Sequence, residues 1–291
     1  MQALVDYQNP LRQNLKRVEG SGAAYYVNRR TSAAISAAFK ADTDSLDEST
    51  GTYAQTSFAY KTLGVQIKVT RKSQAIGRTY SDILAEEVEF KLQEFKDKED
   101  NAILWGQVTT NSPISGIGAA VQFDGLNALC PSGQIIVVTT AVAGGDLTLA
   151  LLDEAIDRVR EASPDMIITS RAGARKINAL LQAQQRFVDR IEVKGGFKLA
   201  SYNDIPIYKS TNIPATLTFS GSDISALTGG TTTAIFLVDS RKVFAGELSK
   251  LSVVALDKVS SQFDLYDIVE DMTLVARDAN AIVKIVGINV A

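Results

Sequence analysis

The stretch 79–105, TYSDILAEEVEFKLQEFKDKEDNAILW, followed by Gly106, limits what this chain can fold into more than any other part of it. Leu84, Val88, Leu92 and Phe95 recur at spacings of four, four and three, which gathers them on one stripe of a helix. Glu86, Glu87, Glu89, Lys91, Glu94, Lys96 and Lys98 fill the rest of the surface, so one face is buried and the other wet. Thr79 with Asp82 three residues on reads as an N-terminal cap, Glu87–Lys91 and Glu94–Lys98 as favourable pairs four apart, and Gly106 as the residue just past the C-terminus. At about 1.5 Å per residue the helix runs roughly 40 Å, well beyond the usual three turns. A rod that long with a single apolar stripe suits a spar in an extended molecule better than the core of a compact enzyme. The plainer alternative is one surface helix of an ordinary α/β protein.

Composition narrows the function classes. With 291 residues, 45% of them hydrophobic and 22% charged, the chain can bury one large core or two medium ones. A net charge of −3 argues against a nucleic-acid binder that relies on a strong overall positive field. Cys130 is the single cysteine, which excludes an intrachain disulfide and suits a reducing compartment. No apolar run reaches the length of a membrane-spanning helix, and the start MQALVDYQNPLRQ lacks a signal peptide's apolar core, so synthesis and folding in a cytoplasm are expected, with no membrane partner. There is no histidine at all. That removes Ser-His-Asp and Cys-His catalysis, histidine metal ligation and the commonest general base. No catalytic, cofactor-binding or metal-binding residue is predicted.

Along the chain, residues 1–32 show little periodicity and carry Arg12, Lys16, Arg17, Arg29 and Arg30 against only Asp6 and Glu19, which reads as an extended basic arm or a loose terminus. Phe58, Tyr60, Val65, Ile67 and Val69 alternate with polar residues, the pattern of a half-buried strand whose partner is sought at 32–40. Between them lies an acidic tip with Asp42, Asp44, Asp47 and Glu48. A hairpin of this kind buries little within its own subunit and needs a neighbour. After the long helix comes a Gly-, Ser- and Thr-rich segment with a short strand at 134–138. Its Gly116 and Gly118 follow Ser112-Pro113 rather than a strand, so they make no dinucleotide loop. A helix at 147–162, a strand at 166–169, a Ser170 cap and a helix at 171–184 define a small α/β module. A strand at 205–208, a surface loop at 215–233, a fully apolar strand at 234–239 and at least three further strands, with a turn at 277–280, complete the chain.

Taken in this order, the elements resemble the major capsid proteins of tailed bacteriophages of the Hong Kong 97 type. The pieces that carry the resemblance are 58–71 leading into the long helix, 164–181, 199–214 and 234–248. The resemblance implies an α+β fold divided into an N-terminal arm (1–31), an E-loop hairpin (32–72), a peripheral domain (73–125) with its spine helix (79–105), an axial domain (126–248), a return to the peripheral domain (249–283) and a last strand back in the axial domain (284–291). It implies a shell protein that self-assembles through pentamers and hexamers in the host cytoplasm, enclosing double-stranded DNA held weakly and without sequence readout. Portal and scaffolding proteins, and a decoration protein, are the implied partners. A long scaffolding segment ahead of the arm is missing here, which implies a separate scaffold or one removed beforehand. The type member's covalent cross-link, transferred to Lys40 or Lys61 with Asn280 and Glu270, is not demanded by any spacing. An encapsulin nanocompartment, with the same fold but enclosing cargo enzymes, is the alternative, although the arm does not look like the amphipathic helix expected there. A soluble α/β enzyme is the more distant one. The sequence further predicts that the acidic tip meets basic residues of another subunit, with Arg12, Lys16, Arg17, Arg29 and Arg30 as the candidates.

Overall fold

The computed structural model describes residues 9–32, 39, 41–42, 52–77, 83–108, 121–159, 163–183, 190–193, 197–256 and 262–290. In chain order these form α1 (Pro10–Asn14), β1 (Arg17–Glu19), β2 (Ala24–Ser32), β3 (Thr52–Ala59), β4 (Lys61–Thr70), α2 (Arg71–Gly77), α3 (Ile83–Trp105), α4 (Leu126–Leu129) and β5 (Ile135–Val137). Then come α5 (Leu149–Arg158), β6 (Met166–Thr169), α6 (Arg171–Ala183), β7 (Arg190–Val193), β8 (Phe197–Tyr202), β9 (Ile205–Lys209), β10 (Thr218–Phe219), β11 (Ile224–Ala226), β12 (Thr232–Val238), β13 (Val243–Ala255), β14 (Phe263–Ala276) and β15 (Ile282–Asn289).

A seven-stranded sheet, ordered β5-β15-β12-β6-β9-β8-β7, carries the α/β module. Its central strands are apolar without alternation because both faces are covered. Ile235 and Leu237 of β12, with Val283 and Ile285 of β15, face α5 and α6. Phe236 and Val238, with Ile282 and Val286, face the opposite core built on the end of α3, α4 and the β10–β11 hairpin. A bulge in β15 opposite Thr233 and Ile235 changes the alternation, and Gly287 sits there with φ +76 against the Phe219 ring. Thr148 caps α5 by accepting from Leu151 N, and Ser170 caps α6 through Gly173 N.

The second sheet, β1-β13-β14-β4, is the spar. β13 and β14 run antiparallel from the shared core, where residues 243–247 and 272–276 are buried, out to a wetter end. There β4 joins β14 with the expected alternation, and Leu84, Val88, Leu92 and Phe95 of α3 lie on Ile67, Val69 and Ile268. The stripe read from the sequence is therefore the contact. The last turn of α3 departs from it: Ala102, Ile103, Leu104 and Trp105 are all buried in the joint between the sheets, and Trp105 Nε1 donates to Asn212 O at 2.8 Å. Gly106 is required there by packing rather than by a left-handed turn, since a Cβ would stand 2.4 Å from Phe123 O.

Four expectations need correction. The partner of β3 is β2, paired from Ala24↔Ala59 to Ser32↔Thr52, so the pairing lies mainly upstream of the expected 32–40 and, of that stretch, only Ser32 is described in it. β2 wins because Tyr25 and Val27 pack on Phe244 and Val275, which anchors it to the spar. The arm is not merely extended, since α1 and β1 lie within it. The first helix of the module stops at Arg158. The 215–233 segment holds a buried hairpin, with Leu217, Phe219 and Ile224 in the core, because its hydroxyls satisfy its own backbone, as Thr218 Oγ1 does by donating to Thr228 O at 2.8 Å. The Thr79–Asp82 cap and the Gly116–Gly118 pair lie outside the described residues.

Candidate functional site

Two features stand apart from the ordinary core: an ionic joint that locks the N-terminal segment, and the ribbon that leaves it. The joint starts at α1, whose Pro10 is pre-set for a first helical turn. The orphan N–H groups of Leu11 and Arg12 donate to Asp100 Oδ1 on α3 at 3.1 and 3.3 Å, and Asn9 Nδ2 donates to Asp97 Oδ1 at 2.6 Å. Asn212 Nδ2 donates to Asp100 Oδ2 at 3.0 Å. Burial outweighs all these donors and pushes the Asp100 carboxyl up to about 6.

One turn of chain later the arginines meet a carboxylate cluster. Arg12 pairs with Glu99, and Arg17 with Glu99, Glu247 and, at 2.5 Å, Glu270. Glu99 and Glu270 are fully buried, 0% exposed. Burial opposes the Arg17 charge, but Glu99, Glu270 and Glu247 outweigh it and hold the guanidinium firmly protonated. The balance is three carboxylates to two guanidiniums. Burial, then Glu99, push Glu270 above the usual carboxylate range, and its Oε2 has no hydrogen-bond partner among the described residues. β1 continues the lock by pairing in parallel with β13, Arg17↔Ala245 to Glu19↔Glu247. A charge pattern that reads as a basic arm is thus in part an internal clamp across α3, β13 and β14.

The ribbon β2–β3 leaves this joint. Its root is held by Val27 against Phe244 and Val275, with Tyr25 edge-on to Phe244 at 5.4 Å. Beyond the root, β3 is exposed over residues 52–55, and Tyr26 and Tyr53 are 56% and 70% exposed. A two-stranded ribbon has little stability of its own in water.

The predicted site residues therefore separate. Arg12 and Arg17 are engaged inside the chain, not free on its surface, because three buried glutamates converge on them. Lys16 is exposed, and Arg29 Nη2 donates to Ala276 O at the ribbon's root. Arg30 pairs with Tyr53 through its backbone, and its side chain is outside the described residues. Asp42 is exposed, while Asp44, Asp47 and Glu48 lie outside the described residues, as does Lys40. Glu270 belongs to the clamp, and Asn280 Oδ1 accepts from Gln134 at 3.1 Å.

Sequence reasoning missed a second tie. Lys284, 1% exposed in mid-sheet, donates to Asn127 Oδ1 and Asp223 Oδ2 at 2.8 and 2.9 Å, joining α4 and the β10–β11 hairpin to β15. A lysine amid IVKIVG was the available signal. Beside it, burial pushes the Cys130 thiol up to about 12, which holds the sulfur in its unreactive form.

A spar of two long strands under one long helix, a sheet domain beyond the joint and a ribbon with no core of its own define a shell protein of the Hong Kong 97 type. Solved structures share this fold at low identity. The holo-SrpI encapsulin complex of Synechococcus elongatus PCC 7942 matches with TM-score 0.72 and 13% identity, covering 97% of this chain and 88% of that one. The capsid of Myoviridae phage XM1 matches with TM-score 0.60 and 12% identity over 92% and 87%. A structure from Mycobacterium phage Bobi matches with TM-score 0.64 and 16% identity over 95% and 89%. No curated protein matches by sequence. The family model of the SU10 major capsid protein matches residues 23–289, and the chain belongs to that family. It is a major capsid protein, a structural component of a tailed-phage head.

Proposed function

We propose that this subunit closes into an icosahedral head through pentamers and hexamers, and that the β2–β3 ribbon is the element each copy lays across its neighbour. The observation that carries this reading is the ribbon itself: among its described residues 52–55 are exposed, Tyr26 and Tyr53 stand on its surface, and burial is found at its root. Burial completed by neighbours accumulates over many copies, so contacts that are weak singly suffice. The pairing moves the root of the reaching hairpin back to Ala24 and Ala59. The spar, with α3, is the peripheral domain in this reading, and the seven-stranded sheet is the axial domain where pentamers and hexamers meet. Assembly takes place in the host cytoplasm around a scaffold, with a portal at one vertex, and a decoration protein is a further partner. The shell holds double-stranded DNA weakly and without reading its sequence, in keeping with a net charge of −3.

Likeness to an encapsulin at TM-score 0.72 favours a nanocompartment as the second reading. Size-exclusion chromatography with negative-stain electron microscopy of the protein expressed alone tests the first: closed shells or pentamer- and hexamer-sized rings are expected. A clean monomer that does not assemble even with a candidate scaffold would refute it, and shells filled with an enzyme would move the assignment to the second.

A further inference from the structure

The root of the ribbon also carries a cleft of about 700 Å³, lined by Tyr25, Tyr26 and Arg29 of β2, by Lys242 just before β13, and by Arg277 and Asp278 just after β14. Three cations face one acid. Lys242 Nζ stands 3.1 Å from Asp278 Oδ2, which leaves a local excess of positive charge in a chain whose net charge is −3. Each cation is held by the frame. The Arg277 guanidinium lies 5.0 Å from the Phe244 ring centroid, and that ring is fixed edge-on by Tyr25. Arg29 Nη2 is turned onto Ala276 O, while its Nε–H is buried with no acceptor among the described residues. A preformed, cation-lined cleft of this kind binds carboxylates.

We propose that the cleft receives the acidic segment 42–48, DTDSLDE, of a second copy of this chain, a contact that rests on the shell reading above. That segment carries Asp42, Asp44, Asp47 and Glu48 and no basic residue. Giver and receiver ride on the same ribbon, the acidic stretch beyond its far end and the cleft at its root. From Arg29, the last cleft residue on β2, to Ser32 the extended chain runs on for about 10 Å, at roughly 3.3 Å per residue. The contact is head-to-tail: each copy gives one tip and takes one, and the arrangement closes into a ring when the rotation between copies closes.

Full-length Arg277→Glu, a tip variant with Asp44→Lys and Asp47→Lys, and an equimolar mixture of the two test this. The reading is the subunit concentration at half-assembly, by light scattering. Each variant alone should raise it about tenfold, and the mixture should return it to within about threefold of wild type, because alternating copies match every cleft to an attractive tip in a ring of six and all but one in a ring of five. No rescue in the mixture overturns the proposal, since a tip bound in its own cleft cannot be rescued in trans. Thermal melting of unassembled subunits separates misfolding from lost contact; should Arg277→Glu fail to fold, Arg277→Gln replaces it with a smaller expected increase of about threefold. Normal assembly by the cleft variant, with loss of binding to a short labelled duplex, overturns it in favour of a nucleic-acid site. Failure of the wild type to assemble at all would instead sink the shell reading, and this contact with it.

Discussion

Replacing Arg17 with methionine keeps the length of the side chain and removes the group that touches Glu99, Glu247 and Glu270 together. Glu99 retains Arg12, and Glu247 lies at the margin of the core, where a small shift lets water reach it. Glu270 has neither remedy, being fully buried with one oxygen already unpartnered among the described residues. Breaking a buried ion pair by removing one partner costs about 3–5 kcal/mol, because an uncompensated charge is left behind. An unfolding entropy of about 2.1 cal/mol/K per residue over 291 residues converts this to a fall in Tm of about 5–8 °C for cooperative unfolding. Differential scanning calorimetry of unassembled subunits measures it. The double variant Arg17→Met with Glu270→Met removes the stranded carboxylate as well and should recover at least half of the loss. A shift below about 2 °C in the single variant, or no recovery in the double, would show that the clamp is not a buried ionic joint, and the account of the N-terminal segment would fail.

The pH dependence follows from Asp100. Its folded pKa, about 6, is raised above the ordinary 3.8, so its contribution to stability is complete below the unfolded value and is lost as pH rises through about 6. The loss is about 3 kcal/mol at 1.36 kcal/mol per unit, and Glu270, raised in the same direction, adds to it. Asp100→Asn should therefore flatten the stability profile between pH 4 and pH 7 relative to wild type, measured by urea unfolding across that range; an unchanged difference would refute the assignment. At the second tie an asymmetry is expected. Asp223→Ala strands a fully buried ammonium and costs about 3–5 kcal/mol, whereas Lys284→Met leaves a carboxylate that is 36% exposed and able to hydrate, and costs about 1–2 kcal/mol. Equal losses in calorimetry would mean that the Lys284 charge is not what holds the hairpin.

How much was legible in the sequence depended on whether a residue's partner was local. The α3 stripe, the Ser170 cap, β6 and the alternation of β4 were readable because each is set by spacing within one element. The partner of β3 was not, since β2 is selected by Phe244 and Val275, far away along the chain. Arg12 and Arg17 read as surface charge for the same reason: the three glutamates that neutralise them come from α3, β13 and β14. The residues 215–233 read as loop because a hairpin that satisfies its backbone with Thr and Ser hydroxyls has the composition of a loop. Gly106 was placed correctly and for the wrong cause, since the space it leaves is filled by the carbonyl of Phe123.

The central claim is that the ribbon is completed by a neighbouring subunit in a closed shell. A cryo-electron microscopy reconstruction of particles assembled from this chain tests it most directly. The account predicts pentamers and hexamers in which each β2–β3 ribbon lies across the adjacent copy, burying Tyr26 and Tyr53. Particles in which the ribbon folds back on its own subunit, or touches no other copy, would contradict it.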